Sequence, residues 1–229
     1  MEQPLKKIPQ QFISTSNHPV QGSHDEPVCA FCIILSETAE AKPAVYNTPI
    51  ARFDNFILLP TLGPLAIGHV LAVTTTHTEG LLQCRTEIRN EYDVIAKTLR
   101  EYCRSKGHGL LELEHGGRSR SGRSSCILHT HVHLFPGLNH LVNLFGSRLP
   151  PLDESPTKLT PGDVAYLWSR NERSEYTWDA TEAIGQESRR ALGAALDRDD
   201  WDWVVAPNPS TISSSIEYWR SYSTTGLRQ

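Results

Sequence analysis

Hydrophobic and polar positions change their rhythm several times along the chain. Residues 44–47 (AVYN) and 52–59 (RFDNFILL) are short runs rich in β-branched and aromatic residues, bounded by Pro49 and Pro60, and they read as strands. A turn segment punctuated by Gly63, Pro64 and Gly68 leads into residues 69–76 (HVLAVTTT), which carry strong β-propensity. Between 79 and 106 the period lengthens. Leu81, Leu82, Cys84, Ile88, Tyr92, Val94, Ile95, Leu99 and Tyr102 largely follow helical spacing with charges between them, and Gly107 and Gly109 end the helix. Strand signals return at 110–114 (LLELE) and 126–135 (CILHTHVHLF), separated by a Gly/Ser/Arg loop at 116–125 (GGRSRSGRSS) and closed by Pro136-Gly137. Strands, one long helix and more strands predict an α+β fold with a largely antiparallel sheet.

The pattern loosens after 137. A loop-rich stretch (RLPPLDESPTKLTPGD) precedes strand signals at VAYLWS and near YTW, a helix over about 184–196 and a short terminal helix around SSSIEYWRSY. All five tryptophans, Trp168, Trp178, Trp201, Trp203 and Trp219, lie in this part, which is expected to pack as an α/β extension on the core. Arg189 and Arg190 could reach phosphate, but a helix surface is their expected setting. The polar, Pro/Gln/Ser-rich residues 1–27 read as a loose arm. The expected organisation is therefore an arm at 1–27, a main domain at 28–137 and an extension at 138–229.

Composition narrows the function classes. A net charge of −4 gives no basic excess of the kind a non-specific nucleic-acid binder carries, and 229 residues can bury a core without disulfides. No stretch has the length of apolar sequence a membrane span needs, and the N-terminus has no apolar signal core, so a cytoplasmic location is expected. The five cysteines are an odd count. Cys84 and Cys103 are expected to be buried, inert thiols, whereas Cys29 and Cys32 form a C-x-x-C pair that reads as metal or redox. No helix is evident at that motif, which disfavours a thioredoxin-like reading.

The densest chemistry is HTHVHLFPG, residues 129–137. On a strand, His129, His131 and His133 share one face, and three imidazoles in a row are a costly core because each ring needs polar partners when buried. A metallo-β-lactamase-like site would want H-x-H-x-D-H, and a cupin-like site an acidic residue soon after H-x-H; neither is present. A neutral imidazole acting on phosphorus remains. In the loop, Arg118, Arg120 and Arg123 supply forked donors suited to phosphate.

With those residues in place, the chain resembles the histidine triad (HIT) superfamily. His129-Thr-His131-Val-His133-Leu-Phe is similar to its His-φ-His-φ-His-φ-φ motif, with Thr130 a mild departure. CAFC at 29–32 and GHVLAVTTTH at 68–77 resemble upstream family segments, Thr74 standing where proline is usual. The E-H-G…S-C-x-x-H-x-H-x-H-x-x-P pattern, with QESRRALGAALDRDDWDW at 186–203, is similar to a less-characterised bacterial branch. The resemblance implies a HIT-like fold and an enzyme that cleaves nucleotides at the α-phosphate. In it, His131 would be the nucleophile, His133 would contact phosphate or leaving group, and His129 would orient the site or bind metal. It further implies a structural zinc on Cys29, Cys32, His77 and His129, substrate contacts from Glu114, His115 and Ser125, and a homodimer. A biosynthetic enzyme acting on an unusual nucleotide conjugate or nucleotide-sugar is the alternative, as is a nucleotide-binding module without turnover. No nucleic-acid polymer or membrane partner is expected.

Overall fold

A computed structural model describes residues 29–36, 48–117, 127–152, 164–183, 186–203 and 207–225. Among them, seven strands form one sheet: β1 (Ala51–Arg52), β2 (Phe56–Pro60), β3 (Val70–Thr74), β4 (Leu110–Gly116), β5 (His131–Pro136), β6 (Tyr166–Arg170) and β7 (Glu175–Asp179). Their order is β1-β2-β3-β5-β4-β6-β7, and every neighbouring pair is antiparallel. The α+β class with a largely antiparallel sheet is therefore the observed one. Four helices accompany the sheet: α1 (Ala30–Ser36), α2 (Thr86–Ser105), α3 (Glu187–Ala195) and α4 (Pro209–Thr225). No described helix is long and apolar enough to cross a membrane.

The predicted long helix starts later than its apolar pattern. Leu81–Gln83 form a short 3-10 turn, and α2 proper begins at Thr86. Its buried residues Ile88, Tyr92, Ile95, Ala96, Leu99 and Cys103 recur at three- and four-residue steps, one stripe turned to the sheet. The terminal helix is longer than expected, at 17 residues. The strand expected at 44–47 lies outside the described residues.

Alternation along the strands sorts the core into two faces. On one, Phe56, Leu58, Val70, Ala72, Leu110, Val132, Leu134, Tyr166 and Trp168 pack under α2, joined by Trp219 and Tyr222 of α4. The opposite face is covered in two places. Phe31 of α1 sits on Ile57, Leu59, Leu71 and Val73. At the other end, Ala191 and Leu192 of α3 and the segment around Val142 and Phe145 pack on Leu111, Leu113, Phe135 and Leu167. Between these two apolar clusters the face carries histidines. Three of the tryptophans, Trp168, Trp178 and Trp219, are core residues at 3% exposure or less.

The α2 face hides two glutamates of β4. Glu112, fully buried, accepts from Tyr92 Oη at 2.8 Å and pairs with Arg100 at 2.6 Å and Arg170 at 2.9 Å. Glu114 accepts from the backbone N–H of Leu81 at 2.8 Å and from Tyr166 Oη at 2.6 Å. Each buried carboxylate is thereby supplied with donors, without which its desolvation would be strongly unfavourable.

Candidate active site and metal centre

β5 places His131 and His133 on the face opposite α2, and the backbone around it decides which ring nitrogens carry protons. His131 Nδ1 lies 2.6 Å from the carbonyl oxygen of His129. A carbonyl can only accept, so Nδ1 holds the proton and Nε2 keeps its lone pair. Burial is the main force holding the His131 imidazolium down, to a pKa of about 4; the His129 carbonyl opposes this, and His115 and Arg189 reinforce it. His131 is thus a neutral imidazole with Nε2 available as a nucleophile.

The next histidine is set by a different chain of contacts. The N–H of Leu65 donates to His69 Nδ1 at 3.1 Å, so the His69 proton is on Nε2. That nitrogen lies 2.9 Å from His133 Nδ1 and donates to it. The neutral His133 therefore carries its own proton on Nε2, as a donor. Burial depresses both rings well below the ordinary histidine value. The His131 and His133 ring centroids are 5.1 Å apart. One ring offers a lone pair and its neighbour an N–H, the complementary pair that attack on a phosphoryl group needs.

His69, fully buried, was not among the residues assigned to the site from sequence. The available signal was parity: residue 69 shares its face with Leu71 and Val73, and β3 pairs with β5. His115 joins the same face, two residues beyond Leu113, which pairs with His133. Burial lowers its pKa to about 4, against the pull of Glu187. Glu114 does not join them. Assigned to substrate from sequence, it points to the α2 face and holds Leu81 and Tyr166, because adjacent residues of a strand face opposite ways. Arg118, Arg120, Arg123, Ser125 and Cys126 lie outside the described residues.

His129 precedes β5 and turns away toward a second cluster. Its Nε2 donates to the Thr74 carbonyl at 2.9 Å, which leaves Nδ1 as the acceptor. That Nδ1 is 3.4 Å from Cys29 Sγ and 3.6 Å from Cys32 Sγ, and His77 Nδ1 is 3.3 Å from Cys32 Sγ. All four ligand atoms lie within 4.8 Å of one another. In a tetrahedral zinc site, the bond lengths to sulfur and nitrogen put S and N ligands about 3.5 Å apart. The donor set, the spacing and the Thr74 carbonyl that fixes the His129 ring fit zinc. One expectation fails here: α1 does begin at the C-x-x-C motif. The two imidazoles aimed at the thiols distinguish this pair from a dithiol redox motif.

Two departures from the histidine triad pattern that the chain resembles find partners. Thr130, polar where a hydrophobic residue is usual, accepts from Thr78 Oγ1 at 2.8 Å. Thr74, in place of proline, donates the backbone N–H that proline lacks to the Thr130 carbonyl at 3.2 Å. A cavity of about 760 Å³ lined by Arg104, His108, His140 and Arg173 lies at the other end of β4, remote from these groups.

Residues 18–140 match the family model described as "Protein similar to CwfJ C-terminal", more than half of the chain. The chain belongs to this family. No curated protein matches this CwfJ C-terminal-like chain. Among solved structures it is similar to a HIT-like protein involved in cell-cycle regulation from Bartonella henselae, at 18% identity over 49% of this chain and 77% of that one, TM-score 0.37. It is also similar to a Zn-bound histidine triad family protein from Mycobacterium smegmatis, at 19% identity over 74% and 94%, TM-score 0.36. A third is yeast Ap4A phosphorylase Apa2 in complex with AMP, at 12% identity over 68% and 75%, TM-score 0.33. Overlap at this level decides no substrate. The histidine triad resemblance agrees with the proteins the chain is similar to. The family named by its own match is the CwfJ C-terminal one, and the bacterial branch gains no support from it.

Proposed function

We propose that this protein is a nucleotide hydrolase or nucleotidyltransferase that works through a covalent nucleotidyl-histidine on His131. The observation that carries the reading is the 2.6 Å contact between His131 Nδ1 and the His129 carbonyl, which leaves Nε2 unprotonated. A neutral nitrogen approaches an anionic phosphodiester without the repulsion an anionic nucleophile meets. In the first step Nε2 donates its lone pair to the α-phosphorus, and the P–O bond to the leaving group breaks. The leaving group departs with that electron pair and takes any proton it needs from solvent, while His133 Nε2–H would hydrogen-bond a phosphate oxygen or the leaving oxygen. In the second step water or another acceptor attacks phosphorus and loses its proton to solvent, the N–P bond breaks with its electron pair returning to Nε2, and His131 is restored.

His69 keeps His133 in the donor tautomer throughout. Cys29, Cys32, His77 and His129 would hold a zinc whose chemistry is structural, a closed four-ligand clamp. The protein's own contribution there is to tie α1 and the start of β5 together, so that the His129 carbonyl stays under His131. A homodimer belongs to the same proposal and is checked by analytical ultracentrifugation.

The test is incubation with nucleoside polyphosphates and nucleotide conjugates labelled at the α-phosphate, with acid-labile adduct mapped by mass spectrometry. Label is expected on His131 early in the reaction, and His131→Ala is expected to form no adduct and turn nothing over while keeping its fold. Near-normal turnover by His131→Ala, or label on another residue, would reject the mechanism.

A further inference from the structure

Arg189 is a charge in a place its sequence position does not announce. Expected on a helix surface, it is only 5% exposed. α3 packs Ala191 and Leu192 against Leu111, Leu113 and Phe135, and Phe135 lies two residues beyond His133 on the same face. The helix from the C-terminal segment is therefore a wall beside the histidines. Two backbone carbonyls from different segments orient the guanidinium: Nε donates to Trp201 O at 2.8 Å and Nη2 to Gly63 O at 2.5 Å.

The second of these contacts leads straight to the active histidines. Gly63 opens the turn whose Leu65 N–H fixes His69, and His69 in turn holds His133. A side chain at 63 would crowd this arrangement, since a Cβ there would lie 3.0 Å from Arg189 Nη2 and 2.7 Å from Trp203 Cβ. The positive charge of Arg189 acts on His69, His131 and His133, in each case opposing protonation of the ring. A cation fixed beside neutral imidazoles favours the arrival of an anion at them, and a guanidinium matches phosphate oxygens in shape as well as charge.

We propose that Arg189 binds the transferring phosphoryl group, so that the C-terminal segment supplies a substrate-contacting residue to the histidine site. The inference rests on the reading of His131 as the nucleophile and adds a cation delivered from 58 residues further along the chain. It makes α3 and the Trp201–Trp203 turn part of the active centre.

Calorimetric titration with AMP, on the full chain with its metal, tests it. Arg189→Gln keeps a donor for the backbone carbonyls and removes the charge; AMP affinity is expected to fall about tenfold to a hundredfold, the worth of a charge-assisted hydrogen bond. Arg198→Met is the control. Arg198 grips the same turn through Leu65 O at 2.8 Å and pairs with Asp200, so its loss loosens the turn without touching phosphate. It is expected to lower Tm and leave AMP affinity within about twofold. Unchanged affinity in Arg189→Gln, or an equal loss in Arg198→Met at matched stability, would overturn the proposal and leave Arg189 a clasp. If Arg189→Gln does not fold, Arg189→Lys decides: a weakening of fivefold or more supports forked recognition, and wild-type affinity overturns it. The two readings separate. Arg189-dependent AMP binding with no adduct on His131 rejects the nucleophile alone, an adduct with Arg189-independent binding rejects this inference alone, and no AMP binding by the wild type overturns it as well.

Discussion

Replacing Glu114 by Gln separates a structural role from a substrate role for a residue that sequence places next to the histidines. Glu114 is 1% exposed, and its oxygens accept from Leu81 N–H and Tyr166 Oη. Burial pushes its pKa up from 4.5 to about 7, against the pull of those two hydrogen bonds. The folded pKa is raised, so the stability this carboxyl contributes is fully present below its unfolded pKa and is lost as pH rises through its folded one. For a group moved from 4.5 to about 7, linkage puts the loss between about pH 5 and about pH 8 at roughly 2.5 kcal/mol. Gln does not titrate. The difference in unfolding free energy between wild type and Glu114→Gln, followed by urea denaturation across that range, should therefore change by roughly that amount, with the variant gaining relative to wild type at the alkaline end. Taking the difference cancels the acid sensitivity that both proteins share through the cysteine–histidine cluster. Turnover of Glu114→Gln should stay within a few-fold of wild type. A flat difference across this pH range, or abolished turnover at unchanged stability, would refute the assignment of Glu114 to the core.

Other consequences follow from the same geometry. Metal analysis of the purified protein should give about one zinc per chain, and Cys32→Ser or chelation should release it and lower Tm by many degrees, since metal binding to such a set is folding free energy; a folded, metal-free chain of unchanged Tm would remove the site. His69→Phe should leave the fold close to intact but free His133 to choose its tautomer, lowering kcat about tenfold or more with little change in KM; equal loss in KM and none in kcat would place His69 in binding instead. Arg170→Met should cost about 3 kcal/mol in urea denaturation, because it leaves one oxygen of the fully buried Glu112 without its cation while Arg100 keeps the other; a cost below about 1 kcal/mol would mean that the pair contributes nothing net.

Much of this protein is legible from local pattern. The period-two alternation of His129-Thr-His131-Val-His133 gives a strand with a polar face, and the three- and four-residue steps from Ile88 to Cys103 give the helix that covers the opposite face. Both are properties of a single element, so neighbouring residues suffice to read them. The cysteine–histidine set was legible only through resemblance, because its members are up to 100 residues apart and nothing local ties Cys29 to His129.

What tertiary structure alone decided concerns faces, tautomers and long-range delivery. Glu114 and His115 are adjacent in sequence, so strand alternation sets them on opposite faces, but only the sheet's pairing says that Glu114 lies under α2 and His115 shares a face with the histidines. No sequence pattern says which nitrogen of His131 or His133 carries a proton; the His129 carbonyl and the Leu65–His69 chain say it, because acceptors and donors act through space. Arg189 is buried where a helix surface is the expected setting. Helical spacing describes which residues share a stripe, but not what that stripe meets, and α3 meets the face that carries the histidines.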